Sequence, residues 1–185
     1  VAKITLLKAP EMIAVIENPQ PITCANPTVT LIGNASTYPA GSTFLWQASN
    51  GGTIISGGNT PNAVVGTGGT YTLTIVKTYQ PGDVACTAVK SVNVLVDKAP
   101  PLVSVTAPKT KICVGESVTL TATGGANYQW TGSTILGDML TVSPVVTTTY
   151  EVYAFGANGC KSTNPATITI EVVPAVTSTM PSITG

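Results

Sequence analysis

One strand–turn–strand pattern occurs twice in this chain, and few folds are built that way. From Ile112 to Trp130 the sequence reads ICVGESVTLTATGGANYQW. A cysteine leads into a Gly-Glu-Ser turn, after which Val118, Leu120 and Ala122 alternate with Thr119, Thr121 and Thr123. A Gly-Gly-Ala-Asn turn follows, and Tyr128 and Trp130 share one face of the next strand. Alternation with period two, closed by turn residues, marks half-buried antiparallel strands. A tryptophan on the second strand suits the plug of a β-sandwich core.

The other copy runs from Ile22 to Trp46, and the match extends well beyond it. Lys8-Ala9-Pro10 aligns with Lys98-Ala99-Pro100, Cys24 with Cys113, and Val29 and Leu31 with Val118 and Leu120. Trp46 then aligns with Trp130, Tyr71 with Tyr150, and Cys86 with Cys160. The expected organisation is two β-sandwich repeats, 8–97 and 98–173, since 185 residues suit two such domains. Residues 1–7 resemble the last strand of a repeat, Ser91 to Asp97, and are expected to be that or an N-terminal arm. Residues 174–185 resemble the first strand, PLVSVTAP, and are expected to be that or a C-terminal tail. The expectation is a slice of a longer array; end strands that complete a neighbouring subunit are the other reading.

Strands are expected near 12–16, 28–32, 43–48, 53–56, 62–65, 70–77 and 88–96, then near 102–106, 117–123, 127–131, 139–143, 149–155 and 166–173. No stretch has helical periodicity, so the fold class is all-β: two antiparallel sheets packed face to face in each repeat. The joint Val96-Asp97-Lys98-Ala99-Pro100-Pro101 is short and stiffened by two prolines. Its single carboxylate does not make a calcium site.

Charge narrows the partners. Eight lysines balance eight acids, arginine and histidine are absent, and no charge occurs between Glu17 and Lys77. A nucleic-acid partner needs a basic stripe and is not expected, nor is membrane insertion, because Pro, Gly, Asn and Thr break every apolar run. Without histidine there is no Ser-His-Asp or Cys-His arrangement. Asp83, Asp138, Glu116 and Glu151 stand singly and read as turn or surface acids. The chain is therefore expected not to be an enzyme, with no catalytic residue, metal or cofactor.

Four cysteines, Cys24, Cys86, Cys113 and Cys160, lack CxxC spacing and read as disulfides, one per repeat: Cys24–Cys86 and Cys113–Cys160. Each would close a loop worth about 4 kcal/mol in the chain-entropy model. Such bonds imply an extracellular or cell-surface location. Among the aromatics, Trp46 and Trp130 are expected in the cores, and Tyr71 and Tyr150 as corner tyrosines of the sandwich. Alternation turns Tyr153 and Phe155 to the opposite face, where contact with the next domain or plain surface is the favoured expectation and a ligand-binding role the other.

At CVGESVTLTATGGANYQW and LTVSPVVTTTYEVYAFGANGC the second repeat resembles the immunoglobulin-like or polycystic-kidney-disease-like repeats of long Bacteroidetes surface adhesins. The first, with CANPTVTLIGNAS, FLWQASNGG and GGTYTLTIV, is similar to a related repeat of the same proteins. The resemblance implies two tandem immunoglobulin-like domains, type IX secretion, and a spacer, filament or adhesive role, in some cases tied to gliding motility. Implied partners are neighbouring immunoglobulin-like repeats, with surface glycans or a protein as alternatives. It brings no catalytic residue.

Overall fold

The structure is a computed structural model and describes residues 11–80 and 84–174. The expected end strands, 1–7 and 174–185, lie outside the described residues except for Pro174. The chain divides into two compact units, Val1–Lys98 and Ala99–Gly185. Every regular element among the described residues is a strand.

The first unit contains β1 (Ile22–Thr23), β2 (Val29–Ile32), β3 (Thr43–Ser49), β4 (Ile54–Ser56), β5 (Asn62–Val65), β6 (Gly69–Lys77), β7 (Cys86–Val94) and β8 (Val96–Asp97). One sheet has the order β2-β5-β4 and the other β3-β6-β7, while β1 lies parallel to β8. The sequence dictates the layering most clearly in β6. Tyr71, Leu73 and Ile75 are fully buried, whereas the intervening Thr70, Thr72 and Thr74 face outward with partial exposure. Leu31 and Val65 meet them from the opposite sheet, and Trp46 fills the middle. Each such aliphatic side chain contributes roughly 1.5–3 kcal/mol on burial.

The second unit contains β9 (Ser104–Thr106), β10 (Lys111–Cys113), β11 (Val118–Thr123), β12 (Asn127–Trp130), β13 (Met139–Val142), β14 (Thr148–Phe155) and β15 (Ala166–Val173). Its sheets run β13-β11-β9 and β10-β15-β14-β12. Val118, Leu120 and Ala122 point inward, as the alternation predicts, against Trp130, Val152 and Ile170. Both tryptophans tie the two layers together. The Trp46 indole donates to the Thr60 carbonyl at 3.0 Å, and the Trp130 indole to the Gly137 carbonyl at 3.0 Å.

On the outer faces, hydroxyls bond across strands instead of charges. Thr119 meets Thr141 at 2.9 Å, Thr149 meets Thr169 at 2.8 Å, and Thr72 meets Ser91 at 2.8 Å. Cross-strand Thr pairs of this kind stabilise a sheet while keeping its surface hydrated.

Three departures from the expected strands have physical causes. Residues 12–16 form only an isolated bridge, Ile13 to Thr37. The Ser36 hydroxyl accepts from the Val15 amide and donates to the Val15 carbonyl, replacing a strand partner. Strands β1 and β10 were not expected, because two or three residues are too few to show alternation. They exist because Ile22 and Ile112 are buried, at 0% and 2% exposure, which seats each short segment beside the last strand of its unit.

In each unit the chain enters at one pole and leaves at the other. In the first, Ile13 bridges Thr37 beyond the Ile32 end of β2, level with the pole where Lys77 pairs with Cys86. The chain departs from the opposite pole, where Thr23 pairs with Asp97. In the second, Ala99 accepts a hydrogen bond from Asn158 in the β14–β15 connection, and Val173 ends β15 at the far pole beside Cys113. We call these the leading and trailing poles.

Candidate functional site

The side chains with chemical potential are the four cysteines and the aromatics of the second unit. The expected bridges Cys24–Cys86 and Cys113–Cys160 are not formed. Cys86 and Cys113 are free and exposed, while Cys24 and Cys160 are each disulfide-bonded.

Strand register explains why neither expected bridge can close. Cys24 follows Thr23, which sits beside Asp97, whereas Cys86 opens β7 eleven residues earlier in the same extended path. At about 3.3 Å per residue those positions stand some 35 Å apart. Cys113 pairs with Val173, seven residues along β15 from Ala166. Cys160 lies still further that way, its carbonyl accepting from the Gly156 amide just past the end of β14. The gap is about 30 Å by the same rise. A disulfide requires Cα atoms within about 7 Å. The sequence repeat therefore paired equivalent positions correctly, Cys24 with Cys113 and Cys86 with Cys160, while the bridges drawn from it were wrong. Cys24 and Cys113 mark trailing poles, and Cys86 and Cys160 mark leading poles.

The turn that holds Cys113 is fixed by Glu116. Its carboxylate pairs with the Lys109 ammonium and also accepts from the Cys113 amide at 3.2 Å. The Lys109 hydrogen bond, with help from the Cys113 amide, holds the Glu116 carboxyl below its ordinary range. Glu116 is thus a turn acid, as its Gly-Glu-Ser context suggests.

Tyr153 and Phe155 stand on the outer face of β14, half-buried, as alternation requires. They do not form one aromatic platform. The Lys161 ammonium lies 3.5 Å from the centre of the Tyr153 ring and caps it, a cation–π contact. Tyr153 and Lys161 line a cleft of about 420 Å³ with Gln129 and Thr131. Phe155 belongs to a larger cleft of about 780 Å³ with Asn127, Gln129, Leu136 and Asp138. Leu136 and Asp138 were not singled out as ligand-facing, because nothing in an irregular loop shows which way it folds. Among the described residues no group of three or more His, Cys, Asp or Glu side chains converges on a metal-sized site.

The corner tyrosine is realised in one unit. The Tyr71 hydroxyl donates to the Thr67 carbonyl at 2.7 Å and accepts from the Thr53 amide at 3.0 Å. Tyr150 only borders the second core, and partial burial raises its phenol pKa, offset in part by a Thr148 hydrogen bond. In that unit Tyr128 ties a turn instead, donating to the Gly125 carbonyl and accepting from the Gly125 amide, both at 2.9 Å.

No protein-family model and no curated protein matches the chain. Solved structures do. A calcium-stabilised adhesin with which an Antarctic bacterium reaches out and binds ice is similar at 15% identity and a TM-score of 0.50, over 90% of this chain and 50% of that one. The fibronectin(III)-like modules of Clostridium thermocellum CbhA are similar at 19% identity and a TM-score of 0.36, over 78% of this chain and 86% of theirs. A chimeric titin Z1Z2 pair is similar at 17% identity and a TM-score of 0.36, over 92% of this chain and 100% of that one. The fold class is two tandem immunoglobulin-like β-sandwich domains.

Proposed function

We propose that this chain is a spacer segment of an extracellular bacterial surface adhesin, contributing length and a hydrated surface and no reaction. The observation that carries it is the pole-to-pole path. In each unit the chain enters at one end of the sandwich and leaves at the other, as a bead in a string must. The Thr-rich outer faces, the disulfide chemistry and the fold shared with an ice-binding adhesin support the same reading. A host with long Bacteroidetes-type surface proteins, type IX secretion and a role in filaments or gliding extends it, on the strength of the sequence resemblance. Neighbouring immunoglobulin-like repeats are the partners this reading requires. The test is replacement: exchanging both units in the parent protein for an unrelated sandwich pair of equal length should preserve surface adhesion. Loss of adhesion with retained surface display would sink the spacer.

One observation favours a second reading, a carbohydrate- or protein-binding module. The Phe155 cleft combines an aromatic edge with the amides of Asn127 and Gln129 and the Asp138 carboxylate, a lining suited to a polar ligand with an apolar face. Tyr153 is the weaker candidate because Lys161 occupies its ring face. Glycan-array binding that disappears in Phe155→Ala and persists in Tyr153→Ala would establish this module; a silent array favours the spacer.

A further inference from the structure

The two free cysteines are neither random nor alike. Cys86 is the first residue of β7, at the leading pole of the first unit, and Cys113 is the last residue of β10, at the trailing pole of the second. Both are exposed on edge strands of their sheets. Each has a counterpart at the same pole of the other unit. Cys113 corresponds to Cys24, which follows the short strand lying parallel to the last strand of its unit. Cys86, the first residue of β7, corresponds to Cys160, which lies six residues before β15. Those counterparts, one trailing-pole and one leading-pole cysteine, are both disulfide-bonded. Cys86 and Cys113, on edge strands, have no such bond and are open to solvent.

We propose that Cys113 and Cys86 are the two halves of a disulfide that joins copies of this chain end to end, the trailing-pole thiol of one copy bonding the leading-pole thiol of the next. Each chain carries one free thiol of each kind, and the occupant is a second copy of this chain. The inference rests on the pole-to-pole spacer reading and adds a covalent cross-link to it. The chemistry is two-electron thiol oxidation by a small-molecule disulfide such as glutathione disulfide. One cysteine thiolate attacks it and releases a first glutathione thiolate. The second cysteine thiolate then attacks the mixed disulfide and releases another, so one protein disulfide forms while one glutathione disulfide becomes two thiols. Bonding between two different poles is heterologous, so it propagates along a line and does not stop at a dimer.

The experiment is oxidation of the purified native chain with glutathione disulfide, read on a non-reducing gel and by thiol titration. The wild-type chain is expected to give a ladder of dimer, trimer and longer species that collapses on reduction. Cys86→Ser alone and Cys113→Ser alone should each remain monomeric, while an equimolar mixture of the two should give a dimer and nothing longer. Circular dichroism of both variants should match the wild type, as expected for exposed positions. A wild-type chain that stays monomeric, with thiols either still reactive or closed within one molecule, overturns the inference. So does either single variant dimerising alone as readily as the mixture, which marks indiscriminate thiol oxidation. If the ladder is absent but the unrelated sandwich pair still supports adhesion, the cross-link fails and the spacer stands. If the ladder forms but that exchange abolishes adhesion, the spacer fails.

Discussion

The two units share a layout but lock it by different means. In the first, the Tyr71 hydroxyl closes the corner by bonding Thr67 and Thr53, and the turn after β1 relies on the Thr23 hydroxyl accepting from the Asn26 amide. In the second, Tyr150 plays no such part, and the turn after β10 is held by the Glu116 carboxylate, where the first unit has Pro27 in register. The final strand also differs in cover: β10 pairs with β15 through three residues, whereas β1 reaches only two residues of β8 and leaves β7 as a nine-residue edge. What is common is what topology demands: a tryptophan bridging the layers, an inward-alternating β2 or β11, and pole cysteines. What differs is local hydrogen bonding, which many residue choices can satisfy.

The comparison predicts a graded set of effects. Trp130→Ala and Trp46→Ala should be the largest, each destabilising its own unit by about 3–5 kcal/mol through the lost side chain and the cavity left behind. Each unit has one tryptophan, so in each variant the remaining fluorophore reports the intact unit, and circular dichroism in the same urea titration reveals the earlier transition of the altered one. Losses under about 1 kcal/mol would break the claim that these rings plug the cores. Gly124→Ala comes next: its φ is +96° and a Cβ would run into the Leu102 carbonyl oxygen. Gly115 has a similar φ of +83° but open space around it, so Gly115→Ala should cost only the left-handed backbone penalty, about 1–2 kcal/mol. Thermal denaturation of both variants checks the order.

The tyrosine pair sharpens the contrast between units. Tyr71→Phe strands the Thr53 amide and should cost about 1–2 kcal/mol, while Tyr150→Phe should change stability by less than about 0.5 kcal/mol. Equal losses in denaturant titrations would mean the corner is shared after all. The smallest effect is electrostatic. The folded Glu116 carboxyl titrates below its unfolded value, so its contribution is present above the unfolded carboxylate pKa and fades as pH falls through the folded one. Glu116→Gln should flatten the acid limb of the second unit's stability curve slightly and leave the first unit's unchanged. The exposed Lys109 pair keeps this small, and salt should shrink it.

The large features were legible in the sequence because they repeat with strand periodicity. Leu31, Trp46, Leu73, Val118, Leu120 and Trp130 are buried where alternation puts them. The pairing of cysteines was not legible, because it depends on β1 and β10, whose two or three residues show no period. Once those segments lie parallel to the final strands, Cys24 and Cys113 are carried to the trailing poles, away from Cys86 and Cys160. For Tyr153 and Phe155 the face was legible but the neighbourhood was not. Lys161 reaches the Tyr153 ring because the β14–β15 connection folds back to bridge Phe155, a detail of loop geometry.

The most direct check on the pole-to-pole layout is peptide mapping of the native chain under non-reducing, thiol-blocking conditions. The layout predicts blocked, originally free thiols at Cys86 and Cys113, and no linked peptide joining Cys24 to Cys86 or Cys113 to Cys160. Recovery of either of those linked peptides would place both cysteines of a unit at one pole and contradict the strand register on which the account is built.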